Sequence, residues 1–540
     1  MSFEATFAIL AAVPIYMIAW GYLMFAASLF ARVPREREDT SPYFFVLVIP
    51  ALNEELVIGN TIRRLLTLPG DNYLLFVVDD GSDDDTASVV ERFNSDKVRL
   101  STRKAPVARK GKGAVLNHAY HAILTSELPE IYGLDNIVVV VMDADCEVEP
   151  NFLTAVAPYF DRSETAGVQV GVRMMNQKDN LVTLWQQLEF TTFNWVFSQA
   201  HEALGSASLG GNGQFVRLSA LTSLGGLPWT ACLTEDLDVG LRLATRGWTN
   251  HYCNTTKVHQ QAVSSVRRLL RQRSRWYHGH LSCWRHIPAV LGARMPFLRK
   301  LDILNYLLAP ALVVPLGLFS IFAFTAFMLG VLAPVAPDWM PRPVADPSRW
   351  MAWYVLGLGT VPLAAWALIK DGQARLPRAL LLSHFYVAGG YIWMAAAFMA
   401  GWRLLQRSGG WLKTARTPIP GDEVAVLERA DAEPDRYLAT RTTVYWLQES
   451  RQLLPLRADN FLPRHTRREH VTTAVNYEAA SIRPSRVTGE LLMARGQAHL
   501  GRLRQTLAAI KEVPSGRSRR DDSEVLVDVS TVKKRELAVR

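Results

Sequence analysis

Long apolar stretches separated by charged sequence constrain this chain more than any other feature. Residues 3–30 contain no Lys or Arg and are long enough to cross the roughly 30 Å hydrocarbon layer of a bilayer as one helix. Residues 304–332 and 350–369 have the same character. A 540-residue chain in which apolar and charged sequence are so strongly segregated is predicted to be an integral membrane protein with a large polar domain.

The placement of charge predicts the orientation in the membrane. Arg32, Arg35 and Arg37 follow the first apolar run at once, so the positive-inside rule places the next segment in the cytoplasm. A cleaved signal peptide is the alternative, but the run lacks a basic leader and is too long. The net charge is +9, and the arginines are concentrated beside the apolar runs and in the tail. This distribution favours anionic lipid head groups over nucleic acid as the partner.

Between residues 43 and 255 the pattern changes to short β-rich runs that alternate with helical stretches. Three apolar runs predict buried parallel strands, and the segments between them have helical composition. Such alternation predicts an α/β sheet with right-handed crossovers, in which ligands bind outside the carboxyl ends of the strands. The predicted strands are 44–49, 74–78 and 137–142, and the predicted helices are 54–68, 85–93 and 114–125.

Polar and acidic residues end each predicted strand. The first strand is followed by Glu54 in place of the Gly-x-Gly-x-x-Gly turn of a dinucleotide-binding sheet, which argues against a dehydrogenase. The second is followed by Asp79 and Asp80, and the third by Asp143 and Asp145. Carboxylates two positions apart at a strand end suit Mg²⁺ or Mn²⁺ shared with a diphosphate, although an isolated Asp-x-Asp is as often a solvated loop.

A basic, glycine-rich loop precedes the third strand. It reads Arg-Lys-Gly-Lys-Gly from position 109, and its glycines, with Lys112 near a helix start, favour phosphate binding. Taken alone, such a segment is more often an ordinary basic loop. The four cysteines, in contrast, show no Cys-x-x-Cys spacing and indicate neither a zinc site nor a disulfide framework.

Two downstream motifs complete the set of candidate catalytic residues. Glu235 and Asp236 form a carboxylate pair that offers a general base, and the same pair could alternatively cap the helix that follows. Gln272, Arg275 and Trp276 fall at i, i+3 and i+4, so they share one face of a helix. The rest of this segment carries four more arginines, at positions 267, 268, 271 and 273, which is typical of a membrane-surface helix.

These motifs occur in an order seen in one group of enzymes. They are Pro-Ala-x-Asn-Glu, Asp-Asp-Gly-Ser, Lys-x-x-x-Leu-Asn, Asp-x-Asp, Thr-Glu-Asp and Gln-x-x-Arg-Trp. Over residues 43–416 the chain thereby resembles the processive branch of family 2 glycosyltransferases, the cellulose, hyaluronan, chitin and poly-N-acetylglucosamine synthases. The resemblance implies an α/β fold of the GT-A (Rossmann-like) type, a cytosolic domain inserted between transmembrane helices, with amphipathic interfacial helices beside it. It also implies a UDP-sugar donor and Mg²⁺ or Mn²⁺ as cofactor.

The resemblance implies a role for each motif residue. Asp236, with Glu235 beside it, matches the general base, and Asp145, with Asp143, matches the ligands of the metal. The nucleotide-sugar site is expected to contain Ala51, Glu54, Asp79, Asp80, Lys112, Asp143, Gln272, Arg275 and Trp276. The acceptor and gating residues are expected to be Gly211, Asn212, Gly213, Trp276, Trp411, Thr414 and Arg416.

Three segments allow more than one assignment or depart from the family pattern. Residues 210–214 read Gly-Gly-Asn-Gly-Gln, unlike the cellulose and hyaluronan versions, which leaves the sugar open. Residues 380–402 are apolar enough to span, but a span there would put the following basic residues outside, so we predict an interfacial or re-entrant segment before a gating-like loop at 411–416. Residues 184–204 are a second interfacial candidate or, equally, a core helix.

The predicted organisation has five parts. These are an N-terminal transmembrane helix (1–31), a cytosolic GT-A domain (42–260), interfacial helices (261–300), a C-terminal transmembrane and interfacial region (301–416) and a basic tail (417–540). The tail contains two possible helices, 442–456 and 488–510, and a segment at 514–522 that reads as disordered. The whole is expected to be a multi-pass protein of the plasma (inner) membrane with its catalytic domain in the cytoplasm.

The expected activity is inverting transfer of glucose or N-acetylglucosamine from a UDP-sugar to a growing polysaccharide, coupled to export. The alternative is a glycolipid synthase that adds one or a few sugars to a lipid acceptor at the membrane face. A non-catalytic export or scaffold subunit is a third possibility, which the intact Asp80, Asp145 and Asp236 disfavour. The lipid bilayer is an expected partner in every case, and nucleic acid is not.

Overall fold

The computed structural model describes the backbone of residues 3–332 and 354–405 and of three short strands between 437 and 457. Its side chains are described over 11–319 and 354–403. The chain divides into two compact units, Met1–Thr414 and Ala415–Arg540. The first contains an eight-stranded mixed sheet and the apolar helices.

Eight strands form the sheet of the first unit. They are β1 (Phe44–Ala51), β2 (Tyr73–Asp79), β3 (Val98–Thr102), β4 (Ile137–Val141), β5 (Glu147–Val148), β6 (Thr165–Met174), β7 (Gln214–Arg217) and β8 (Thr249–Gln260). Their order across the sheet is β3-β2-β1-β4-β7-β6-β8-β5. Strand β1 pairs in parallel with β2 and β4, which confirms the three predicted strands. Strand β7 is antiparallel to β4 and β6, so the sheet is mixed.

Strand β1 explains why its sequence is apolar without alternation. Phe45, Leu47 and Ile49 pack into the core layer on one side of the sheet, and Val46 and Val48 into the layer on the other. All five side chains are 0% exposed. Successive side chains of a strand point to opposite faces, so a continuous apolar run requires cover on both sides.

Helices provide that cover. Residues of α2 and α3 lie in the first core layer, and residues of α4 and α9 lie in the second. The predicted helix 54–68 begins at Ile58, because residues 54–57 form turns that leave the end of β1. The helices of this part are α2 (Ile58–Leu65), α3 (Thr86–Glu91), α4 (Lys112–Leu124), α5 (Leu128–Tyr132), α6 (Leu181–Thr192), α7 (Gln199–Leu204), α8 (Leu218–Thr222), α9 (Glu235–Thr245), α10 (Val266–Ser282) and α11 (Ile287–Gly292).

Five further helices contain the apolar runs. They are α1 (Phe3–Ser28), α12 (Phe297–Leu332), α13 (Val361–Lys370), α14 (Leu376–Ala388) and α15 (Tyr391–Leu405). Within the described ranges, three segments are long and apolar enough to cross a membrane, namely Ala11–Ser28, Phe297–Phe319 and Leu376–Arg403. The predicted span 350–369 appears as the shorter apolar segment Tyr354–Lys370. The predicted interfacial segment 380–402 falls in the third candidate span, which is broken at residues 389–390 between α14 and α15, and its membrane placement remains a prediction.

The second interfacial candidate, 184–204, lies between the sheet and the apolar helices. It comprises the end of α6, a π-helix (Phe193–Ser198) and α7. Val196 and Ala200 pack against Met24 of α1 and against Leu363 and Ala367 of α13. This segment therefore joins the sheet domain to apolar helices.

The second unit is described only in three strands. They are β9 (Tyr437–Ala439), β10 (Thr443–Leu447) and β11 (Leu453–Arg457), paired antiparallel in the order β11-β10-β9. The predicted helix over 442–456 is wrong, because two of these strands occupy it; residues such as Val444, Tyr445 and Trp446 favour a pleated strand. The predicted helix 488–510, the segment 514–522 and the gating loop lie outside the described residues.

Candidate active site

The end of β4 and the start of α4 bring a cation and a carboxylate together. Lys112 is the first residue of α4, and its Nζ lies 2.8 Å from Asp143 Oδ1, just after β4. Burial opposes the charge of Lys112, but the carboxylates of Asp143, Glu235 and Asp236 raise its pKa above the usual value. Lys112 therefore stays protonated and places a fixed positive charge between two acidic motifs.

The two carboxylates after β4 are the candidate ligands of a divalent ion. Asp143 is half-buried and Asp145 is fully buried. Hard carboxylate oxygens are what Mg²⁺ and Mn²⁺ prefer, so the chemistry of these residues fits such an ion. The charge of Asp143 would then be shared between the ion and Lys112.

The second acidic motif lies at the N-terminus of α9. Thr234 is the N-cap residue, so Glu235 and Asp236 occupy the first turn of the helix and do not cap it, unlike the alternative drawn from the sequence. Asp236 Oδ1 accepts a hydrogen bond from the Leu237 N–H at 2.8 Å. A helix N-terminus favours negative charge, and the backbone bond fixes the orientation of this carboxylate.

Burial disfavours the ionised form of both carboxylates, Glu235 and Asp236. Burial raises the pKa of Glu235 to about 7, with a further rise from Asp236, while Lys112 and Arg275 lower it. Burial also raises the pKa of Asp236, and the Leu237 N–H and Lys112 oppose the rise. A carboxyl whose pKa lies near neutral pH is suited to exchange a proton with a substrate.

The glycine-rich turn 210–214 closes over the carboxylates. A Cβ on Gly211 would lie 2.9 Å from Asp236 Oδ2 and 3.6 Å from Lys112 Nζ, and the backbone φ there is +86°. The Asp143 N–H donates to Asn212 Oδ1 at 3.1 Å, and the Gly213 N–H donates to Val141 O at 2.9 Å. The turn is thus tied to the end of β4, and only glycine at position 211 leaves room for the carboxylate.

The residues predicted to hold the nucleotide gather at the ends of β1 and β2. The Asp80 N–H donates to Ala51 O at 2.8 Å, and the Glu54 N–H donates to Thr86 Oγ1 at 2.8 Å. Asp80 is buried and forms an ion pair with buried Arg103. Burial nevertheless raises the pKa of Asp80 above its usual value. Asp79 lies beside this pair and accepts the N–H of the Ser of Asp-Asp-Gly-Ser at 3.2 Å.

The Gln-x-x-Arg-Trp helix, α10, contacts the Thr-Glu-Asp segment backbone to backbone. A Cβ on Gly279 would lie 2.8 Å from the Thr234 nitrogen and 2.6 Å from its Cγ2. Arg275, on the same helix, lowers the pKa of both carboxylates of α9, which places its charge on their side. The close packing fixes the distance between the two motifs.

One arginine of α10 departs from the predicted pattern. Arg273 was counted among the arginines typical of a membrane-surface helix, but it is 0% exposed and forms an ion pair with Glu189. Its guanidinium lies 4.0 Å from the ring centroid of Trp276, and Gln272 Oε1 accepts a hydrogen bond from it at 3.0 Å. A buried arginine requires an acid and aromatic faces, which only the fold supplies. One face of the ring of Trp276, a residue expected in the nucleotide-sugar and acceptor sites, is thus covered.

Residues 42–279 match a family described as "Glycosyltransferase like family 2". This match covers less than half of the 540-residue chain. Two curated relatives are beta-monoglucosyldiacylglycerol synthases. That of Trichormus variabilis is 32% identical over 309 residues, which covers 55% of this chain and 62% of the relative. That of a Synechocystis species is 32% identical over 279 residues, covering 50% and 55%. The chain thus spans less than two thirds of the length of either relative.

Among solved structures, the fold is similar to that of a mannosyltransferase from Pyrobaculum calidifontis in complex with GDP-Man and Mn²⁺. The identity is 17% and the TM-score 0.46, over 73% of this chain and 99% of that one. So distant a likeness bears on neither the donor nor the metal. The mixed sheet itself, with its parallel half bearing the motif residues, is GT-A-like.

Two features of the glycosyltransferase domain had no signal in the sequence. Arg103, the partner of Asp80, follows β3, a strand too polar to be predicted. Cys232 and Cys283, 51 residues apart, place their sulfurs 3.9 Å from each other, and Asp238 lies within 4.8 Å of both. Asp238 is paired with Arg285 and with His286 at 2.6 Å, so its charge is already balanced. Of the expected gating residues, Trp411, Thr414 and Arg416 lie outside the described ranges.

Proposed function

We propose that this protein is a membrane-bound glycolipid synthase that transfers a sugar, glucose as first candidate, from a UDP-sugar to a lipid acceptor. The names of the similar synthases support a lipid acceptor, which the sequence had offered as the alternative to a polysaccharide. The three apolar segments support a site at the membrane face, with the catalytic domain in the cytoplasm of a multi-pass inner-membrane protein.

One observation carries the proposed chemistry. The carboxylates of Glu235 and Asp236 face two cations, Lys112 and Arg275, across a turn whose Gly211 leaves the space open. A sugar transfer needs both kinds of group, a base for the acceptor hydroxyl and positive charge for the departing diphosphate. A candidate base and two cations suited to such a reaction therefore lie close together.

Each residue then has one task. Asp236 takes the proton of the attacking hydroxyl, a contribution of roughly 10²- to 10⁴-fold in rate. Lys112 and Arg275 stabilise the negative charge that develops on the UDP diphosphate as the bond to the anomeric carbon breaks. Direct displacement inverts that carbon, so an α-linked donor gives a β-linked product. A divalent ion held by Asp143 and Asp145 would supply further charge neutralisation on the diphosphate.

The proposal is tested with purified full-length protein in detergent, Mn²⁺ or Mg²⁺, diacylglycerol and radiolabelled UDP-glucose or UDP-N-acetylglucosamine. We expect label in the chloroform-soluble fraction. A high-mass, water-soluble product would instead indicate the polysaccharide synthase that the Gln-x-x-Arg-Trp motif also suggests. Absence of turnover with every UDP-sugar would refute the enzyme itself.

A substitution tests the assignment of the base. Asp236→Asn keeps the size and the hydrogen bond from Leu237 but cannot accept a proton, so transfer should fall by at least about 10²-fold. UDP binding, measured by calorimetry, should remain. If UDP binding is lost together with transfer, Asp236 belongs to the donor site and the base must be sought elsewhere.

A further inference from the structure

A cavity adjoins the glycine-rich turn 210–214. Its volume is about 110 Å³, several times the minimum of about 10–15 Å³ that a single water needs, so a small polyhydroxylated group is of suitable size. Gly210 lines it and is followed directly by Gly211, the residue against the Asp236 carboxylate. Tyr306 of α12 also lines it. The cavity thus adjoins both the turn that contacts Asp236 and a candidate membrane span.

The lining combines polar and apolar groups. Its aliphatic part consists of Val170, Val172, Ala207 and Leu209. Sugars and glycerol present both hydroxyls and C–H faces, which match such a lining. The polar side chains are those of Gln169, Asn194, Ser198, His201 and Ser208, and the aromatic ones are those of Phe190, Phe193, Tyr252 and Tyr306.

An irregular helix forms part of the cavity wall. Residues Phe193–Ser198 form a π-helix between α6 and α7, and Phe193, Asn194 and Ser198 of that helix line the cavity. Single π-turns are frequent at functional sites, where the extra residue changes the direction of neighbouring side chains. A hydrogen bond from the Trp195 indole N–H to Asp371 Oδ1, at 2.9 Å, helps to fix this π-helix.

One side chain that lines the cavity has one ring nitrogen engaged by a carboxylate. His201, on α7, is only 5% exposed, and its Nδ1 lies 2.5 Å from Asp302 Oδ2 on α12. Ser206 donates to the same carboxylate oxygen. Because a carboxylate only accepts, Nδ1 carries the hydrogen, and in the neutral imidazole Nε2 is left with a lone pair. Nε2 can then accept a hydrogen bond from a hydroxyl in the cavity.

This requirement restricts the acceptor. The hydroxyl that attacks the sugar gives its proton to the base, so it cannot also donate to His201. We propose that the cavity binds the head of a lipid that carries at least two hydroxyls, a glycerol or sugar head, with one hydroxyl held by His201 and another presented to Asp236. The inference rests on the proposed lipid acceptor and narrows it to a polyhydroxylated head.

The test compares three acceptors in mixed micelles with the full-length enzyme: dioleoylglycerol, with one hydroxyl, monooleoylglycerol, with two, and glucosyl-dioleoylglycerol. We expect the wild type to use the second and third with a kcat/KM about tenfold above the first, the value of one hydrogen bond. In His201→Ala this preference should disappear, because the acceptor KM rises most for the polyhydroxylated lipids. The donor KM should stay the same.

The matched control is His251→Ala. His251 is also buried and paired with a carboxylate, Glu202 at 3.0 Å, but it does not line the cavity. It should preserve the acceptor preference even if the melting temperature falls. Ala207→Leu, which narrows the cavity without touching His201, should raise the acceptor KM for both polyhydroxylated lipids and provides a second route if His201→Ala does not fold.

The outcomes separate the two proposals. A wild type that prefers dioleoylglycerol, or an equal loss on all three acceptors in His201→Ala, would overturn the role of the cavity and leave a lipid glycosyltransferase standing. No labelled lipid from any acceptor, with UDP binding intact, would refute the lipid acceptor itself.

Discussion

The charge of Lys112 should set the pH at which the enzyme becomes active. Gly211 lies between Lys112 and Asp236, with the ammonium 3.6 Å and the carboxylate oxygen 2.9 Å from a Cβ at that position, so the two charges are at most about 6.5 Å apart. At an effective dielectric constant of about 20 a unit charge at that distance contributes about 2.5 kcal/mol, or about 1.9 pKa units. Screening by solvent at the half-buried Asp236 reduces this to between one and two units.

Lys112→Met removes this charge and keeps the length of the side chain. The pair Glu235–Asp236 titrates as a unit, and the base is active only when ionised, so kcat/KM rises with pH through about 7 in the wild type. Without the lysine the ionised form is less stable and the midpoint should move up, to between about 8 and 9. The high-pH side should remain flat in the wild type, since the pKa of Lys112 is raised.

The assay is the pH profile of kcat/KM for the UDP-sugar at saturating lipid. Lys110→Met, an equal change of charge at an exposed position two residues away, is the control and should leave the midpoint in place. A Lys112→Met enzyme that is merely slower at every pH, with an unshifted midpoint, would show that the lysine acts on the donor alone. The electrostatic coupling inferred from the geometry would then be incorrect.

Three further predictions follow from packing and charge. Gly279→Ala puts a methyl 2.6 Å from the threonine of Thr-Glu-Asp and should cost about 1–3 kcal/mol of stability along with most of the activity, whereas Gly292→Ala, with no atom within 4 Å, should be neutral in melting temperature and turnover. Asp145→Asn, like removal of divalent ions by EDTA, should lower kcat by at least about tenfold, and added Mn²⁺ should restore only the wild type after chelation. Phe193→Ala enlarges the cavity and should allow one more sugar in the product, as seen by mass spectrometry, whereas Phe197→Ala, which removes the ring stacked on Phe193 from outside the cavity, should not.

The parallel half of the sheet could be predicted because the sequence of its strands is stable only when both faces are buried. Strands β1, β2 and β4 are apolar runs that end in acidic residues, and a run buried on both faces must lie inside a layered α/β domain. The antiparallel half could not be read in the same way. Strand β7 has four residues, and β8 contains Asn, His and Lys, whose partners come from distant segments.

Individual side chains show the same division. Asp143 and Asp236 were predictable because each belongs to a short motif whose local backbone orients it. Lys112 was expected in the nucleotide-sugar site as a phosphate contact, and the fold places its ammonium 2.8 Å from Asp143 and near the carboxylates of α9, which the sequence did not indicate. Arg273 required knowledge of Glu189, 84 residues away, before its burial could be understood.

The catalytic groups do not distinguish a polymer synthase from a glycolipid synthase, because both reactions need the same base and the same cations. The length of the product does distinguish them. Under the proposed function, an acceptor head seated in the cavity at Gly210 becomes longer with each transfer and soon exceeds its volume of about 110 Å³. We therefore expect a product with one or two added sugars, and a ladder of longer products would count against the proposal.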